Sequence, residues 1–229
     1  MKVIDVNRIL GPLPHDDVPS RDAAGLRAEL DRLRIDEAWV VRSQAVYGDP
    51  RGVPPVSEDR LLSVPVLIPG PLGTGDVPHV PVVRLCPAEH RFRLEYGGLR
   101  MMDTLIERNT VTMVGWDSLG ASERRALYAD WQELPPIVLT GTGYRSLHEV
   151  AELLAECEQV YVDTSTLCGH RQVEWVAENF GAHRVLFGTG APVTDDAGPR
   201  FQLDHLELPA ADVELIAAGN AERLLAEAR

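Results

Sequence analysis

The chain has only three cysteines in 229 residues (Cys86, Cys157 and Cys168), and none stand in a Cys-x-x-Cys pair. They are too few and too scattered for a disulfide framework, which argues for a reducing compartment. No apolar run approaches the ~18 residues of a membrane span. Met1 to Val6 lead straight into a strand pattern and leave no room for a signal peptide. A cytoplasmic protein without a membrane partner is the simplest expectation. Positive charge is also scarce: 22 Lys and Arg face 35 Asp and Glu, for a formal net charge of -13. A nucleic-acid face needs clustered Arg and Lys, so nucleic acid is not expected as a main partner. The seven histidines form no recognisable cluster, and no internal repeat or low-complexity tail is evident.

What is present is ordinary globular composition, 45% hydrophobic and 25% charged. The length suits one substantial core rather than two. Short β-branched apolar runs recur at Val3 to Val6, Ala38 to Val41, Leu62 to Ile68, Pro81 to Cys86, Val111 to Trp116, Pro136 to Leu139, Val160 to Asp163 and Val185 to Gly188. Most are apolar without alternation, as strands packed on both faces are. Helical stripes lie between several of them, at Leu26, Leu30 and Leu33, at Leu127, Trp131 and Leu134, and at Val173, Val176, Ala177 and Phe180. Ser146 and Glu149 have capping-box spacing ahead of a stripe through Leu147, Val150, Leu154 and Cys157. Pro209 suits the start of the last helical region, and Gly219-Asn220 predicts a break before a terminal helix.

The first half is less regular. Pro50, Pro54 and Pro55 disfavour a long helix after the second strand, and Pro71 to His79 is too short for an ordinary crossover helix. The alternation therefore predicts an α/β fold: a compact TIM (β/α)8-type barrel over residues 1–229, one domain, with one or two outer helices missing in the first half. Barrel wall left bare there would be an interaction patch, so a homodimer is an expected partner state.

Four segments resemble one known family. Ile4 to Gly11 is similar to the opening of the amidohydrolase-related barrels, the group that includes amino-carboxymuconate-semialdehyde decarboxylase. Val160 to Ser165 and Gly181 to Pro192 resemble that family's last two strands, and Gly219 to Leu225 its C-terminal helix. The resemblance implies a metal-dependent hydrolase or decarboxylase with ligands at the mouth of the barrel. It implies a His-x-His pair where this chain has Asn7 and Ile9, and a His near Gly115 and Trp116. It implies another His around Thr140-Gly141-Thr142-Gly143, and an acidic residue where Gly190 stands. Ile and Gly side chains supply no donor, so neither a conventional metal centre nor any other cofactor is expected.

In such barrels the functional groups come from the C-terminal ends of strands. That rule nominates Asn7, Arg8, Arg42, Arg84, Thr140, Thr142 and Thr189 for binding, with Asp117, Asp163 and His170 as acid–base candidates. Arg42 and Arg84 can clamp a carboxylate, or else pair with an aspartate such as Asp117 or Asp163. Cys168 and His170 form a nucleophile–base pair only if they touch. Asp195 and Asp196 can fold over the mouth or remain a solvated turn. Trp116 can fill space that a metal and imidazoles would otherwise occupy. Two functions stay open: hydrolysis or decarboxylation of a small carboxylate ligand, and a catalytically silent relative that binds a metabolite or another protein.

Overall fold

A computed structural model describes residues 1–70, 77–94, 99–124 and 134–229. Its strands are β1 (Ile4–Leu10), β2 (Glu37–Arg42), β3 (Leu61–Ser63), β4 (Val66–Leu67), β5 (Val82–Leu85), β6 (Val111–Gly115), β7 (Ile137–Thr140), β8 (Val160–Asp163) and β9 (Val185–Leu186). All neighbours pair in parallel, β1-β2-β3 in one run and β4 through β9 in another.

Backbone hydrogen bonds join the two runs into a barrel. Between β3 and β4 stands Pro65, which has no N–H to donate. Val64 N still donates to Val40 O at 2.8 Å, and Pro65 O accepts from Arg84 N at 2.9 Å. One continuous segment thus serves β2 before the proline and β5 after it. At the opposite seam Val6 N donates to Phe187 O at 2.9 Å, and Gly190 N to Asn7 O at 2.9 Å. The result is eight strand positions closed into a (β/α)8-type barrel, the architecture expected from the alternation of apolar runs.

Alternation along the strands sorts the core into two layers. Ile4, Val6, Trp39, Val41, Val66, Val82, Met113, Val138, Tyr161 and Leu186 form one cluster, which fills the barrel. Their strand neighbours, among them Val40, Val83, Val114, Leu139 and Val162, pack outward against helix residues such as Leu30, Val150 and Val176.

The helices are α1 (Ala23–Leu33), α2 (Ser43–Tyr47), α3 (Pro87–His90), α4 (Leu99–Glu107), α5 (Leu147–Glu156), α6 (Gln172–Phe180), α7 (Ala197–Asp204), α8 (Ala210–Glu214) and α9 (Asn220–Glu227). The crossover after β2 holds only the five-residue α2, and residues 77–81 before β5 contain no helix. Arg42 pins the intervening loop over this stretch of wall: its Nε donates to Pro54 O at 2.8 Å and its second amino group to Pro55 O at 3.3 Å. The helix expected through Leu127 and Trp131 lies outside the described residues.

Two local expectations need correction. Ser146 does not cap α5: it already has helical dihedrals, and its hydroxyl donates to Gly143 O at 3.1 Å. Its supposed partner Glu149 instead meets Arg124 at 3.1 Å. Nor does Gly219-Asn220 break the last helix. A π-helical turn at Leu215–Gly219 carries the chain from α8 into α9 with helical dihedrals throughout. The reason is tertiary: fully buried Asn220 donates through Nδ2 to the carbonyls of Ala182 and Val185, each at 2.8 Å. This anchor lets Ala218, Ala221 and Leu224 close the N-terminal end of the barrel.

Replacing Asn220 with Ala leaves two buried carbonyls without that donor, at a cost of about 1–3 kcal/mol. Urea denaturation should show the midpoint falling accordingly; an unchanged midpoint would show that the anchor contributes nothing.

Candidate active site at the barrel mouth

The mouth begins with an irregularity in β1. Asp5 lies opposite Ala38 and Arg8 opposite Val40, so three steps along β1 match two along β2. Such a bulge re-aims the side chains around it. Here Val6 joins the interior and the next residue, Asn7, meets side chains of the interior as well, while Asp5 and Arg8 fall at the seam with β9. On β5, β7 and β8 plain alternation turns Arg84, Thr140 and Asp163 inward, each two residues beyond an interior valine or tyrosine.

Three of these side chains form a row. Arg84 donates from one amino group to Asn7 Oδ1 at 2.8 Å, and Asn7 Nδ2 donates to Asp163 Oδ2 at 2.7 Å. Ser165 completes it by donating to Asp163 Oδ1 at 2.8 Å. Burial raises the Asp163 carboxyl to about 6, against the opposing pull of the Ser165 and Asn7 hydrogen bonds and the Arg84 charge. Among the described residues no carboxylate lies within ion-pair distance of Arg84, whose Nε is buried without a partner. The direct Arg–Asp pair that strand-end sequence suggests is therefore replaced by an amide spacer. Cys86, two residues on, is buried as a small apolar residue would be. Burial pushes its thiol up to about 11, with Arg84 opposing the rise.

Gly188 makes the row possible. A Cβ there would lie 2.8 Å from Asp163 Oδ2 and 3.2 Å from Asn7 Cβ. Thr164 ties the same point together, accepting from Gly188 N at 3.1 Å and donating to Gly188 O at 2.9 Å.

Arg8 and Thr189 belong to a second network at the seam. Asp5 accepts from the Thr189 hydroxyl at 2.6 Å and from the backbone N–H groups of Thr189 and Asn7 at 3.0 Å. Arg8 lies 3.6 Å from Asp5 and 3.3 Å from Asp196, which Arg32 of α1 also holds at 2.9 Å. Burial raises the Asp5 carboxyl despite Arg8. Asp196 is held below its ordinary value by Arg32 and Arg8, against the effect of burial. This network fastens the loop after β9 to the barrel. Asp196 is committed to it, and Asp195 caps α7 by accepting from Gly198 N at 2.7 Å, so neither folds over the mouth.

The other nominated residues do not join the row. Arg42 is occupied by the proline loop, and Asp117, 93% exposed, reaches Arg124 only at 3.8 Å. Thr142 is fully buried with an unpartnered hydroxyl. His170 and Cys168 are both exposed, share no hydrogen bond, and line a separate cavity beside the mouth. Trp116 does not plug the barrel: it sits in the outer core, with the Arg124 guanidinium 4.4 Å above its ring. Asp5 was missed, although a lone charge inside an apolar strand run was a signal that it must be satisfied internally.

Barrel and polar mouth define the class: an α/β barrel with its chemistry-bearing side chains at the C-terminal strand ends. Residues 132–226 match the family described as Amidohydrolase. An uncharacterized TIM-barrel protein from Bordetella bronchiseptica superposes with a TM-score of 0.74 at 16% identity, over 99% of each chain. Amidohydrolase 2 from Bifidobacterium longum subsp. infantis gives 0.67 at 18% identity over 98% of each chain. The 5-carboxyvanillate decarboxylase of Sphingomonas paucimobilis gives 0.70 at 11% identity, over 98% of this chain and 99% of that one. No curated protein matches the sequence. Likeness in sequence to that family is thus confined to residues 132–226, while these solved structures share the barrel fold over almost the whole chain.

The metal that the resemblance to this family implies does not fit the residues present. Among the described residues no three His, Cys, Asp or Glu side chains converge. Asp163 has both oxygens engaged by hydrogen bonds, and Gly190 has a φ of +71°, a conformation that strains any acidic side chain placed there.

Two outcomes follow. Gly188→Ala forces apart the Asn7–Asp163 contact and should cost about 1–3 kcal/mol, read as a lower melting temperature; a wild-type melting curve would refute the close fit. For Asp163, the folded chain keeps between about pH 4 and pH 6 a proton that the unfolded chain has released. Its stabilising effect is complete below that window and lost as pH rises through about 6. Denaturant midpoints measured from pH 4 to 8 should therefore fall in the wild type relative to Asp163→Asn; parallel profiles would contradict the raised value.

Proposed function

We propose that this chain is a divergent amidohydrolase-related protein that takes a small carboxylate-bearing molecule at its mouth and hydrolyses or decarboxylates it without the conventional metal. The observation that carries this reading is Arg84: a partly buried guanidinium at a strand end, oriented by Asn7 and left without a carboxylate partner among the described residues. A carboxylate on a guanidinium makes charge-assisted hydrogen bonds that survive competition with water better where the cation is partly desolvated. The Sphingomonas neighbour, by its name, acts on a carboxylated aromatic acid, which supports the same class of ligand. Asp163 has no exposed surface, so it acts through Asn7 and Ser165 as a positioning residue.

That last fact also favours a second reading, a catalytically silent binder. A carboxyl with both oxygens engaged is poorly placed to move a substrate proton, and no imidazole joins the row.

Calorimetric titration with benzoate and isophthalate tests the site. The wild type should saturate, and Arg84→Ala should weaken binding by about tenfold to a hundredfold, the value of one charge-assisted bond. Arg84→Lys should fall between, since it keeps the charge and loses the fork. Equal affinity in the wild type and Arg84→Ala removes the carboxylate seat. Carbon dioxide or hydrolysis product released from a bound acid after chelator treatment supports the enzyme; saturable binding without turnover supports the silent binder.

A further inference from the structure

Beside the mouth, between the loop after β8 and helix α7, lies a cavity of about 830 Å³ that the carboxylate reading does not use. Its volume suits a small organic molecule. Three features specify which kind. Phe201 lines the cavity while 65% exposed, an unusual position for a phenyl ring. His205 stacks against the ring with centroids 3.9 Å apart and planes at 22°, and its Nδ1 is bonded to Phe201 O at 2.8 Å. The two rings form a fixed platform. Glu174, on the first turn of α6, lines the same cavity with only 6% exposure. Its Oε1 accepts one long bond from Glu207 N at 3.3 Å, and its Oε2 has no partner. No cationic side chain among the described residues lies within ion-pair range of it. Charge points the same way. Arg171 at the rim is matched by Glu178 at 3.2 Å and Glu207 at 3.6 Å, whereas among the described residues Asp195 has only backbone donors.

A buried carboxylate oxygen without a partner is costly, and each such group in a folded protein calls for a physical explanation. An anionic ligand would meet the surplus carboxylates, and a purely apolar one would leave Glu174 unmatched. A delocalised cation with N–H edges answers both, because it lies flat on an aromatic face and donates to a carboxylate. We propose that this cavity is a second binding site, for a planar nitrogenous cation of the amidinium or protonated heteroaromatic-amine class. It is separate from the Arg84 seat, and the two adjoin through Ser165, which lines the cavity and donates to Asp163.

Benzamidinium and benzoate share a ring and carry opposite charge, so the pair separates the two sites. Benzamidinium should bind the full chain saturably and shift the His205 imidazole resonances in NMR. Phe201→Ala and Glu174→Gln should each weaken it by about tenfold or more, while Arg84→Ala should change it less than about twofold; benzoate should show the reverse pattern. Phe201→Ala alters an exposed ring and decides the matter should Glu174→Gln fail to fold. Non-saturable benzamidinium binding, or unchanged affinity in Phe201→Ala, overturns the second site. Benzamidinium binding without benzoate binding leaves this site standing and removes the Arg84 seat.

Discussion

The side-chain amide of Asn7 lies between a buried carboxyl and a partly buried guanidinium, accepting from Arg84 and donating to Asp163. An amide has a donor and an acceptor at fixed spacing, so it can satisfy both groups without contributing charge. Either charge alone would be expensive at this depth. With Asn7 between them, neither needs the other as a direct partner. Arg84 keeps part of its fork free, and Asp163 sits near its point of protonation rather than being driven fully ionised. The bulge in β1, the missing side chain at Gly188 and the Ser165 hydroxyl all serve that amide: the first aims it, the second makes room and the third completes the carboxyl's bonding.

The seam network has a different purpose. Asp5 receives two backbone N–H bonds and a hydroxyl bond, and Arg8 and Arg32 share Asp196 from two elements. These bonds hold the loop after β9 to α1 and β1, closing the barrel where the backbone ladder alone is short. Because β9 has only two ladder residues, side chains carry closure there. The seam fixes the position of Gly188, and through it the spacing of the mouth row.

Much of the fold was readable from the positions of apolar runs, because strands buried on both faces cannot be polar wherever they occur. The short crossover after β2 followed from its prolines. Local signals failed where other atoms made a better offer. Ser146 has the spacing of a cap but bonds to Gly143, and Asn220 resembles a helix breaker but is held helical by two carbonyls more than thirty residues away. At the mouth, strand-end position nominates Asn7, Arg84 and Asp163 among other residues, and the structure brings these three into one row. It could not separate them from Arg8 and Thr189, because the bulge inverts facing within β1 and leaves no mark on composition. Arg42 lies two residues beyond outward-facing Val40, so alternation turns it away from the mouth and onto the Pro54 and Pro55 carbonyls.

Of the positions where the resemblance implies metal ligands, the first is not an inert replacement, since Asn7 there holds Arg84 and Asp163. A divalent ion in such a mouth supplies positive charge at a fixed point and polarises what binds there. Arg84 also supplies fixed positive charge, held by Asn7 at the first of those positions. It is weaker as a Lewis acid, since a guanidinium cannot lower the pKa of a bound water as a metal does, yet it recognises a carboxylate with a geometry that a bare ion lacks. Exchanging an ion for a guanidinium thus preserves ground-state recognition better than transition-state stabilisation. In the reading proposed for Arg84, carboxylate binding therefore outlasts loss of the metal ligands more readily than turnover does.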